Sequence, residues 1–298
     1  MVLETSPSAH RGPAVGFINY SLTEDKLDPR EPYYSYTYSP NNEGKPQTNG
    51  RHEATKVVVN DIRDQPELTL DTAGFQHVQA STALQQEEFE SFETVTDETG
   101  SEDAAKMALE RYYAEIEDIL RRTIPNVKSV VTYNQRTRLH EPKTGIDGYD
   151  FTAPKNYPVL RPHIDVAPET GEQLVESFVG AGQKALIINV WRPIRGVVLD
   201  APLAVTDVRS LPKEAIIPHR VLYRDRASAS YAIIHKPSIK WYFISAQTSS
   251  DVLLFKQYDS EQPEHVVAHT AFSDARFDGK EGVEPRFSIE TRSVVILE

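Results

Sequence analysis

The sequence contains no cysteine. This absence excludes disulfide bonds, thiol nucleophiles, iron–sulfur clusters and thiolate zinc sites. A metal ion bound to this chain would therefore need histidine and carboxylate ligands, a set of donors that suits iron, manganese or zinc. Because cysteine-free proteins are compatible with any compartment, the absence by itself does not indicate a location.

The sequence also lacks long apolar runs, and its basic residues are fewer than its acidic residues. No stretch approaches the roughly 20 apolar residues of a membrane-spanning helix, and MVLETSPSAHRGPAVG at the N-terminus lacks the pattern of a secretory signal. We therefore expect no membrane partner and a cytoplasmic location. The formal net charge of −12 and the pI near 5.3 argue against nucleic acid as a partner.

Residues 1–55 are rich in Pro, Ser, Asn, Tyr and Gly, as in DPREPYYSYTYSPNNEGKPQTNG. We predict that this segment is an extended N-terminal arm that packs on the body of the protein. Residues 56–298 are predicted to form a single domain, which their length allows. The tyrosines of the arm could also pack on a neighbouring subunit, so a homodimer is one candidate assembly.

One helix is predicted at 101–124, SEDAAKMALERYYAEIEDILRRTI. Ser101 can cap its start, acidic residues fill its first turn, and Pro125 ends it. Its apolar side chains recur at helical spacing, so we expect one face to lie in the core. This face consists of Ala104, Met107, Ala108, Tyr112, Ile116, Ile119 and Leu120.

After residue 125 the chain changes to short runs of β-branched and aromatic residues, such as KALIINVWR, KWYFIS and DVLLFKQY. Turns with Pro, Gly, Ser and Asp separate these runs. We predict roughly eight or more strands over about 127–298, with no helix between them. This pattern favours a mainly β sandwich or barrel over an alternating α/β sheet.

The stretch RPHIDVAPETG, residues 161–171, contains two side chains suited to binding a metal. Among the nine histidines, only His163 has an acidic residue two positions on, Asp165. On a strand, residues i and i+2 point to the same face, so these two side chains can be presented together. With 44 acidic residues in 298, composition alone gives roughly one such pair. A turn-stabilising surface pair is therefore the alternative interpretation.

A third ligand is available further along the chain in HVVAHTAF, which carries His265 and His269. These residues are four apart, so both face the same side of a regular strand. His269 lies on the longer strand-like run and is the predicted ligand. His265 is expected nearer solvent and is the alternative candidate for the same ligand position. Two histidines and one carboxylate on one face of iron leave positions free for a co-substrate and dioxygen, as in non-haem Fe(II) oxygenases.

An oxygenase that uses 2-oxoglutarate also needs a cation to hold the far carboxylate of that co-substrate. PRFSIETR offers Arg286 and Ser288 on one strand face, 17 and 19 residues beyond His269. A guanidinium with a neighbouring hydroxyl makes a two-point clamp for a carboxylate. Arg292 shares the parity of Arg286 and is the second choice. Asn189 in INVWRPI is a further candidate, as a donor to the keto-acid end of 2-oxoglutarate.

Two basic segments are interpreted as solvent-facing. RTRLH at 136–140 is predicted to be a solvated rim, with contact to an acidic substrate as the alternative, and YRDR at 223–226 is predicted to be a solvated turn. No residue identifies the substrate, because the pocket is expected to be built from loops and the N-terminal flank.

Several separated stretches resemble a fungal hydroxylase/desaturase family: IINVWRPI with PLAVTDVRSL, then WYFISAQTSSDVLLFKQYDS, then HTAF with PRFSIETR. The resemblance covers roughly residues 127–298. That family includes gibberellin desaturase-like proteins and tailoring oxygenases of secondary metabolism, and it is related to a protein of cephamycin methoxylation. The resemblance implies an Fe(II)/2-oxoglutarate-dependent dioxygenase with a double-stranded β-helix core of the jelly-roll, cupin-like type. It implies His163, Asp165 and His269 as iron ligands, with Arg286 and Ser288 as the co-substrate clamp.

The reaction that the resemblance implies is oxidation of an unactivated C–H bond of a small secondary-metabolite substrate by O2, with release of succinate and CO2. Hydroxylation, desaturation and oxidative ring closure are all open outcomes, and no catalytic residue is expected beyond the metal centre. Two other functions stay open. One is a cupin-type metal-dependent hydrolase or isomerase on the same triad, and the other is a non-catalytic β-sandwich binding module with structural histidines.

Overall fold

Short strands make up most of the molecule, as the runs of β-branched and aromatic residues predict. The computed structural model describes residues 10–22, 32–38, 40, 44, 46–92, 103–140 and 157–298. The strands of this part of the chain are β1 (Ala14–Ser21), β2 (Tyr33–Tyr36), β3 (His52–Asp61), β4 (Phe75–Gln79), β5 (Val127–Leu139), β6 (His163–Ile164), β7 (Ala185–Pro193), β8 (Leu203–Thr206), β9 (Ile216–Leu222), β10 (Ala227–Ile233), β11 (Trp241–Phe243), β12 (Asp251–Asp259), β13 (His269–Ala271), β14 (Ser273–Asp274) and β15 (Phe287–Leu297).

These strands form two sheets. The larger sheet has ten strands in the order β14-β1-β3-β11-β8-β13-β6-β10-β9-β2, and the smaller has five in the order β4-β12-β7-β15-β5. The central pairs of the smaller sheet, β7 with β12 and β7 with β15, are antiparallel. In the larger sheet, β11 lies parallel to β3 and β2 lies parallel to β9. The prediction of a mainly β fold is confirmed.

Side chains from both sheets meet in a shared apolar core. Trp191 of β7 and Phe255 of β12 belong to the smaller sheet and pack in one cluster with Val205 of β8 and Tyr242 of β11 from the larger sheet. Every residue of β7 and β12 is buried, because the other face of the smaller sheet is covered as well. The two sheets therefore enclose an interior to which both contribute side chains.

The helices of the described residues are α1 (Gln86–Ser91), α2 (Asp103–Thr123) and α3 (Pro168–Val179), and two short 3-10 turns lie at Val208–Ser210 and Lys213–Ala215. The apolar side chains of α1 and α2 pack in one cluster with outward-facing residues of β7, β12 and β15. These two helices therefore supply the cover on the outer face of the smaller sheet. Ser101, the predicted cap of α2, lies outside the described residues.

The helix predicted before the β region is present as α2, but its buried face is rotated from the predicted one. Tyr112 is fully buried, as predicted, whereas Met107 is 62% exposed and Ala104 is exposed too. Ala105 and Leu109 are buried instead. At about 100° per residue, Met107 lies about 140° around the helix from Tyr112. The prediction that Met107 and Ala104 belong to the core was therefore wrong.

The structure contains a helix between the strands, where none was predicted. This helix, α3, has Pro168 in its first turn and ends at Gly180, whose φ of 84° lies in the left-handed region. Both residues are regular helix signals at these positions, but the same residues also mark turns. Gly171 faces the ring of Tyr258, where a Cβ would lie 2.3 Å from a ring carbon. The absence of a side chain at residue 171 therefore lets α3 pack closely on β12.

The described part of the predicted arm contributes strands to the larger sheet. β1 pairs with β3 over eight positions, and β2 lies beside β9. Tyr33 and Tyr36, two tyrosines of the arm, are buried. The boundary near residue 55 between an arm and a domain stays a prediction.

Candidate metal centre

Three predicted metal ligands converge on one side of the larger sheet. His163 lies on β6 and His269 begins β13, and these antiparallel strands place the two histidines directly opposite each other. The centroids of the two imidazole rings are 4.2 Å apart. Asp165 follows β6, and one ligand atom from each of the three residues lies within 4.8 Å of the others. Among the described residues, His265 is not part of this group.

The distances within the triad suit a shared ion rather than direct hydrogen bonds. The Nε2 atom of His163 is 3.6 Å from Oδ1 of Asp165, and the Nε2 atom of His269 is 4.0 Å from Oδ2 of Asp165. A single metal ion with ligand bonds of about 2.0–2.2 Å can span such separations. The donor set of two imidazoles and one carboxylate is the one that non-haem iron sites use.

A backbone hydrogen bond orients the imidazole ring of His163. The Nδ1 atom of His163 lies 2.8 Å from the carbonyl oxygen of Arg161, and because a carbonyl can only accept, this Nδ1 carries the proton. The Nδ1 atom of His269 is buried and makes no regular hydrogen bond in the described structure. The His269 ring also packs on Phe255, with centroids 4.8 Å apart. A backbone carbonyl behind the imidazole is the usual support of a metal-binding histidine.

The protonation states also suit a metal ion. Burial lowers the pKa of His163 to about 3 and the pKa of His269 to about 4, so both imidazoles are neutral at pH 7. Burial alone would raise the pKa of Asp165, but the Arg292 guanidinium, the two histidines and Asn189 outweigh it and hold this pKa well below its usual range. The triad therefore offers two lone pairs and one negative charge without first losing a proton.

Two residues of the smaller sheet hold the Asp165 carboxylate. The amide nitrogen of Asn189 donates to Oδ2 at 2.8 Å, and Nη2 of Arg292 donates to Oδ1 at 3.1 Å. Nη2 of Arg292 also donates to Glu290 at 3.0 Å. Arg292, the second choice for the co-substrate clamp, and Asn189, predicted to contact 2-oxoglutarate, are thus both occupied with the carboxylate of the triad.

Gln257 belongs to the site although it was not among the predicted site residues. It is buried on β12, and its Oε1 accepts a hydrogen bond of 2.7 Å from the backbone N–H of Asp165. Its amide nitrogen donates to the carbonyls of Val267 at 2.8 Å and Lys256 at 3.2 Å. Gln257 therefore ties the segment before His269 to the segment that carries Asp165. No local pattern signals such a role, because the partners are distant in sequence.

A small cavity, here called the inner cavity, adjoins the two histidines. Its lining includes three arginines and one glutamate as well as the imidazoles: Arg138, His163, His269, Arg286, Glu290 and Arg292. Burial, helped by the charge of Arg138 nearby, lowers the pKa of Arg286 to about 9. The cationic lining suits an anionic ligand, but the cavity volume of about 20 Å³ has room for about one water molecule, so a larger anion enters only when the surrounding side chains move apart.

The predicted clamp residues lie at different places around the inner cavity. Arg286 lines it, and its Nη1 donates to the carbonyl of Ala201 at 2.5 Å, while its Nε is buried without a hydrogen bond in the described structure. Ser288 is not among the lining residues, although its hydroxyl is buried and likewise without a partner there.

Arg138 does line the inner cavity and donates to the carbonyl of Tyr157 at 2.6 Å. The interpretation of 136–140 as a solvated rim was therefore wrong for Arg138, although Arg136 is exposed.

A second and larger space, here called the outer cleft, opens on the Asp165 side of the triad. Its volume is about 420 Å³. Asp165, Asn189, Gln257 and Arg292 form its inner end. Most of the remaining lining comes from α3, from the turn between β9 and β10 and from the start of β10, with Tyr133 of β5, Val166 and Ile187 of β7. The triad thus lies between a small cationic cavity and a space large enough for a small organic molecule.

Comparison with known proteins identifies the family. A family model described as "Oxidoreductase/YMDC permease-like domain" matches residues 18–296. The hydroxylase/desaturase efuI of Hormonema carpetanum is 30% identical over 277 residues, which cover 84% of this chain and 86% of the relative. The chain belongs to this family of fungal hydroxylase/desaturases. Within the described part of this hydroxylase/desaturase, no helix combines the length and apolarity needed to cross a membrane.

The names of two further matches state a metal and a co-substrate. The Fe(II)/2-oxoglutarate-dependent dioxygenase nvfI of Aspergillus novofumigatus is 29% identical, and the alignment covers 89% of this chain and 90% of nvfI. A solved structure of a variant of the iron and alpha-ketoglutarate-dependent endoperoxidase NvfI superimposes with a TM-score of 0.77, with 25% sequence identity and 99% of both chains covered. The predicted jelly-roll core is confirmed by this match.

This fungal hydroxylase/desaturase is therefore an Fe(II)/2-oxoglutarate-dependent oxidoreductase, with O2 as the second co-substrate. Its triad of histidine, aspartate and histidine fits that cofactor. Nothing in the family or in the site supports a cupin-type hydrolase or isomerase, or a binding module without catalysis.

Proposed function

We propose that His163, Asp165 and His269 bind the iron of this dioxygenase. The observation that carries the proposal is the convergence of one donor atom from each residue within 4.8 Å. The neutral imidazoles and the ionised carboxylate supply the charge and the lone pairs that Fe(II) needs. When bound, iron would allow O2 to act as the oxidant of an unactivated C–H bond, with 2-oxoglutarate as the second source of electrons, which is released as succinate and CO2.

The residues around Asp165 have a positioning role in this proposal. Arg292 and Asn189 each donate a hydrogen bond to the carboxylate. They restrict its rotation, so that the carboxylate keeps its direction toward the two histidines. Asn189 is accordingly assigned to the carboxylate of the triad instead of to the co-substrate.

We further propose that the inner cavity widens, by movement of the side chains that line it, and receives 2-oxoglutarate. Arg286 would bind the far carboxylate, since it lines the cavity and has an unused Nε–H. The Ser288 hydroxyl, two residues on, is a second donor for the same group, and its lack of a partner supports this assignment. Arg138 adds a second guanidinium to the cavity and compensates the charge of the dianion.

The substrate of the proposed reaction is a small secondary metabolite bound in the outer cleft. A space of about 420 Å³ next to Asp165 is the size of a small-molecule site. Hydroxylation, desaturation and ring closure share the removal of a hydrogen atom from carbon, and the cleft determines which carbon faces the metal. A cytoplasmic location and a homodimer stay predictions from the sequence, and analytical ultracentrifugation would measure the assembly state.

The ligand assignment is tested by metal titration under anaerobic conditions with 2-oxoglutarate present. We expect the wild-type protein to bind one Fe(II) and to develop a weak visible band at roughly 500 nm, as chelated iron on this ligand set does. His163→Ala and Asp165→Ala should each remove the band and lower the affinity for iron by more than about 100-fold, because a lost ligand costs more than a lost outer partner.

His265→Ala is the matched control, because His265 is four residues from His269 in the same segment and outside the triad. It should keep the band and the affinity of the wild type. Circular dichroism would show that each variant is folded. The assignment is wrong if the His163 and Asp165 variants keep both properties, or if the His265 variant loses them.

A further inference from the structure

The walls of the outer cleft contain a feature that the iron chemistry does not use. One wall is the helix α3, with Thr170 and Ser177 facing the space, and the other is the turn between β9 and β10, with Tyr223 and Arg226. The inner end is formed by the residues that hold the triad. A substrate in this space therefore meets the metal at one end and the β9–β10 turn at the other.

The charge along this cleft is positive once a metal is bound. Asp165 is the one carboxylate among the residues that line it in the described structure, and Arg226 and Arg292 are the two guanidinium groups. The charge of a divalent cation on Asp165 is balanced by the 2-oxoglutarate dianion, and Arg292 balances Asp165, so the guanidinium of Arg226 is the positive charge left over in the cleft. This positive charge is local, because the whole chain has a net charge of −12. The cleft therefore favours an anion against the field of the rest of the protein.

The turn and the Tyr223 ring restrict the position of the Arg226 guanidinium. The backbone N–H of Tyr223 donates to the carbonyl of Arg226 at 2.8 Å and closes the turn. The Arg226 guanidinium lies over the Tyr223 ring, 4.2 Å from its centroid, which limits its directions. Its ionic partner, Asp225, makes one contact of 3.5 Å, and both side chains are mostly exposed, at 63% and 74%. Such a contact is weak and easily replaced by a better-placed carboxylate.

We propose that the substrate of this dioxygenase carries a carboxylate, and that Arg226 binds this group at the mouth of the outer cleft. The proposal rests on the function proposed above, since the Asp165 end of the cleft must hold the metal that oxidises the substrate. The carboxylate lies at the Arg226 end, and the rest of the molecule extends past α3 toward Asp165. The part of the substrate nearest the metal is then the end opposite to its anionic group.

The test compares acids with their neutral amides as probes: 2-naphthoate with 2-naphthamide, and 4-phenylbutyrate with 4-phenylbutyramide. The protein is loaded with Mn(II), a redox-stable stand-in for iron, and with saturating 2-oxoglutarate, which occupies the inner cavity. Calorimetry gives the dissociation constants, and broadening of the probe's proton signals by Mn(II) shows that the probe lies beside the metal. We expect both acids to bind more tightly than their amides.

Arg226→Gln should weaken binding of the acids about fivefold, the upper range for an exposed ion pair, and leave the amides unchanged. Arg224→Gln is the matched control. Arg224 lies in the same turn and is also exposed, but its guanidinium lies over the Tyr38 ring at 4.5 Å and does not line the cleft. This variant removes the same charge from the same turn, so it should leave all four dissociation constants unchanged.

The outcomes distinguish a failure of the carboxylate proposal from a failure of the proposed metal site. Acids that bind no better than amides, or equal losses in the Arg226 and Arg224 variants, would overturn the carboxylate proposal while metal binding remains intact. A wild-type protein that binds no Mn(II) at the triad, judged by identical titrations of wild type and His163→Ala, would instead overturn the ligand assignment.

Discussion

At the scale of single residues, Gln257 is the side chain that connects the two segments of the triad. Its hydrogen bonds to the Asp165 N–H and the Val267 carbonyl are both short, and the residue is fully enclosed. Gln257→Leu would leave both backbone groups buried without a partner, at a cost of about 1–3 kcal/mol each. We expect this variant to bind Fe(II) about tenfold more weakly, as measured by titration, and to be less stable in urea unfolding.

Gln247→Leu is the control for this prediction. Gln247 is buried to a similar extent, and its amide donates to the Asp251 carbonyl at 2.8 Å, outside the group of metal ligands. The control should lose stability but keep the wild-type affinity for Fe(II). If both glutamine variants lower the affinity equally, Gln257 is only a structural residue and has no special role in placing the ligands.

Arg286 is the residue on which co-substrate binding depends most in this account. Arg286→Ala removes a charge-assisted contact of about 1.5–3 kcal/mol, so we expect the dissociation constant for 2-oxoglutarate to rise about 10- to 100-fold in calorimetry with Mn(II) bound. Arg286→Lys should restore only part of the affinity, because lysine lacks the planar fork.

Arg136→Ala is a control for general loss of positive charge, since Arg136 is exposed on β5 two residues from Arg138. It should leave 2-oxoglutarate binding unchanged. An unchanged dissociation constant in Arg286→Ala would contradict the assignment and point to Arg138, which lines the same cavity.

The sequence could predict that His163, Asp165 and His269 come together, because these candidate ligands follow one another along the chain as a short motif and a later histidine. It could not predict Gln257 or Arg138, since a single glutamine or arginine on a strand has no spacing that distinguishes it. The same limit applies to Asn189 and Arg292. Both were recognised as candidates for the site, but their contact with Asp165 depends on how the two sheets meet.

At the scale of elements, His219 joins three strands of the larger sheet. From β9, its Nδ1 meets the Ser230 hydroxyl of β10 at 3.0 Å, and its Nε2 meets the Ser35 hydroxyl of β2 at 3.0 Å. The ring also stacks on Tyr33, with centroids 4.2 Å apart. Burial lowers the pKa of His219 to about 3, and neighbouring positive charge acts in the same direction. The neutral imidazole therefore holds β2 against the sheet.

This arrangement predicts a pH dependence of stability. A histidine whose folded pKa is below its unfolded value of about 6.5 contributes stability that is complete above pH 6.5 and is lost as the pH falls toward 3. Between about pH 6 and 4, His219 should lower the free energy of unfolding of the apoprotein by up to about 1.4 kcal/mol per pH unit. Urea unfolding at a series of pH values would measure this slope.

His219→Gln isolates the contribution, because a glutamine amide can meet hydroxyl groups but does not titrate. The variant should show a shallower pH dependence than the wild type, while His235→Gln, at an exposed histidine, should keep the wild-type slope. Equal slopes in the wild type and the His219 variant would contradict the account of β2.

Helices and strands could be predicted from the sequence where a single pattern dominated. The β region and the long helix follow from strand-like runs and from a helical repeat, but the phase of the repeat was misjudged at Met107. The helix α3 was missed because its proline and glycine serve turns as well as helix ends. Its burial against Tyr258 comes from tertiary packing, which a local pattern does not contain.

At the scale of the whole molecule, the site exists only because the two sheets face each other. The histidines of the triad lie on β6 and β13 of the larger sheet, whereas Asn189, Gln257 and Arg292 lie on β7, β12 and β15 of the smaller sheet. The relative placement of the sheets therefore sets the width of the inner cavity. This explains why a sequence can indicate which residues belong to the site but not which of them contact one another.

The proposed iron site is tested most directly by a crystal structure of the protein prepared anaerobically with Fe(II) and 2-oxoglutarate, with anomalous data at the iron edge. We expect one iron peak within about 2.0–2.2 Å of Nε2 of His163, Nε2 of His269 and a carboxylate oxygen of Asp165, with the far carboxylate of 2-oxoglutarate on Arg286. An iron peak at any other place in the protein, or one that His269 does not ligate, would contradict the proposed site.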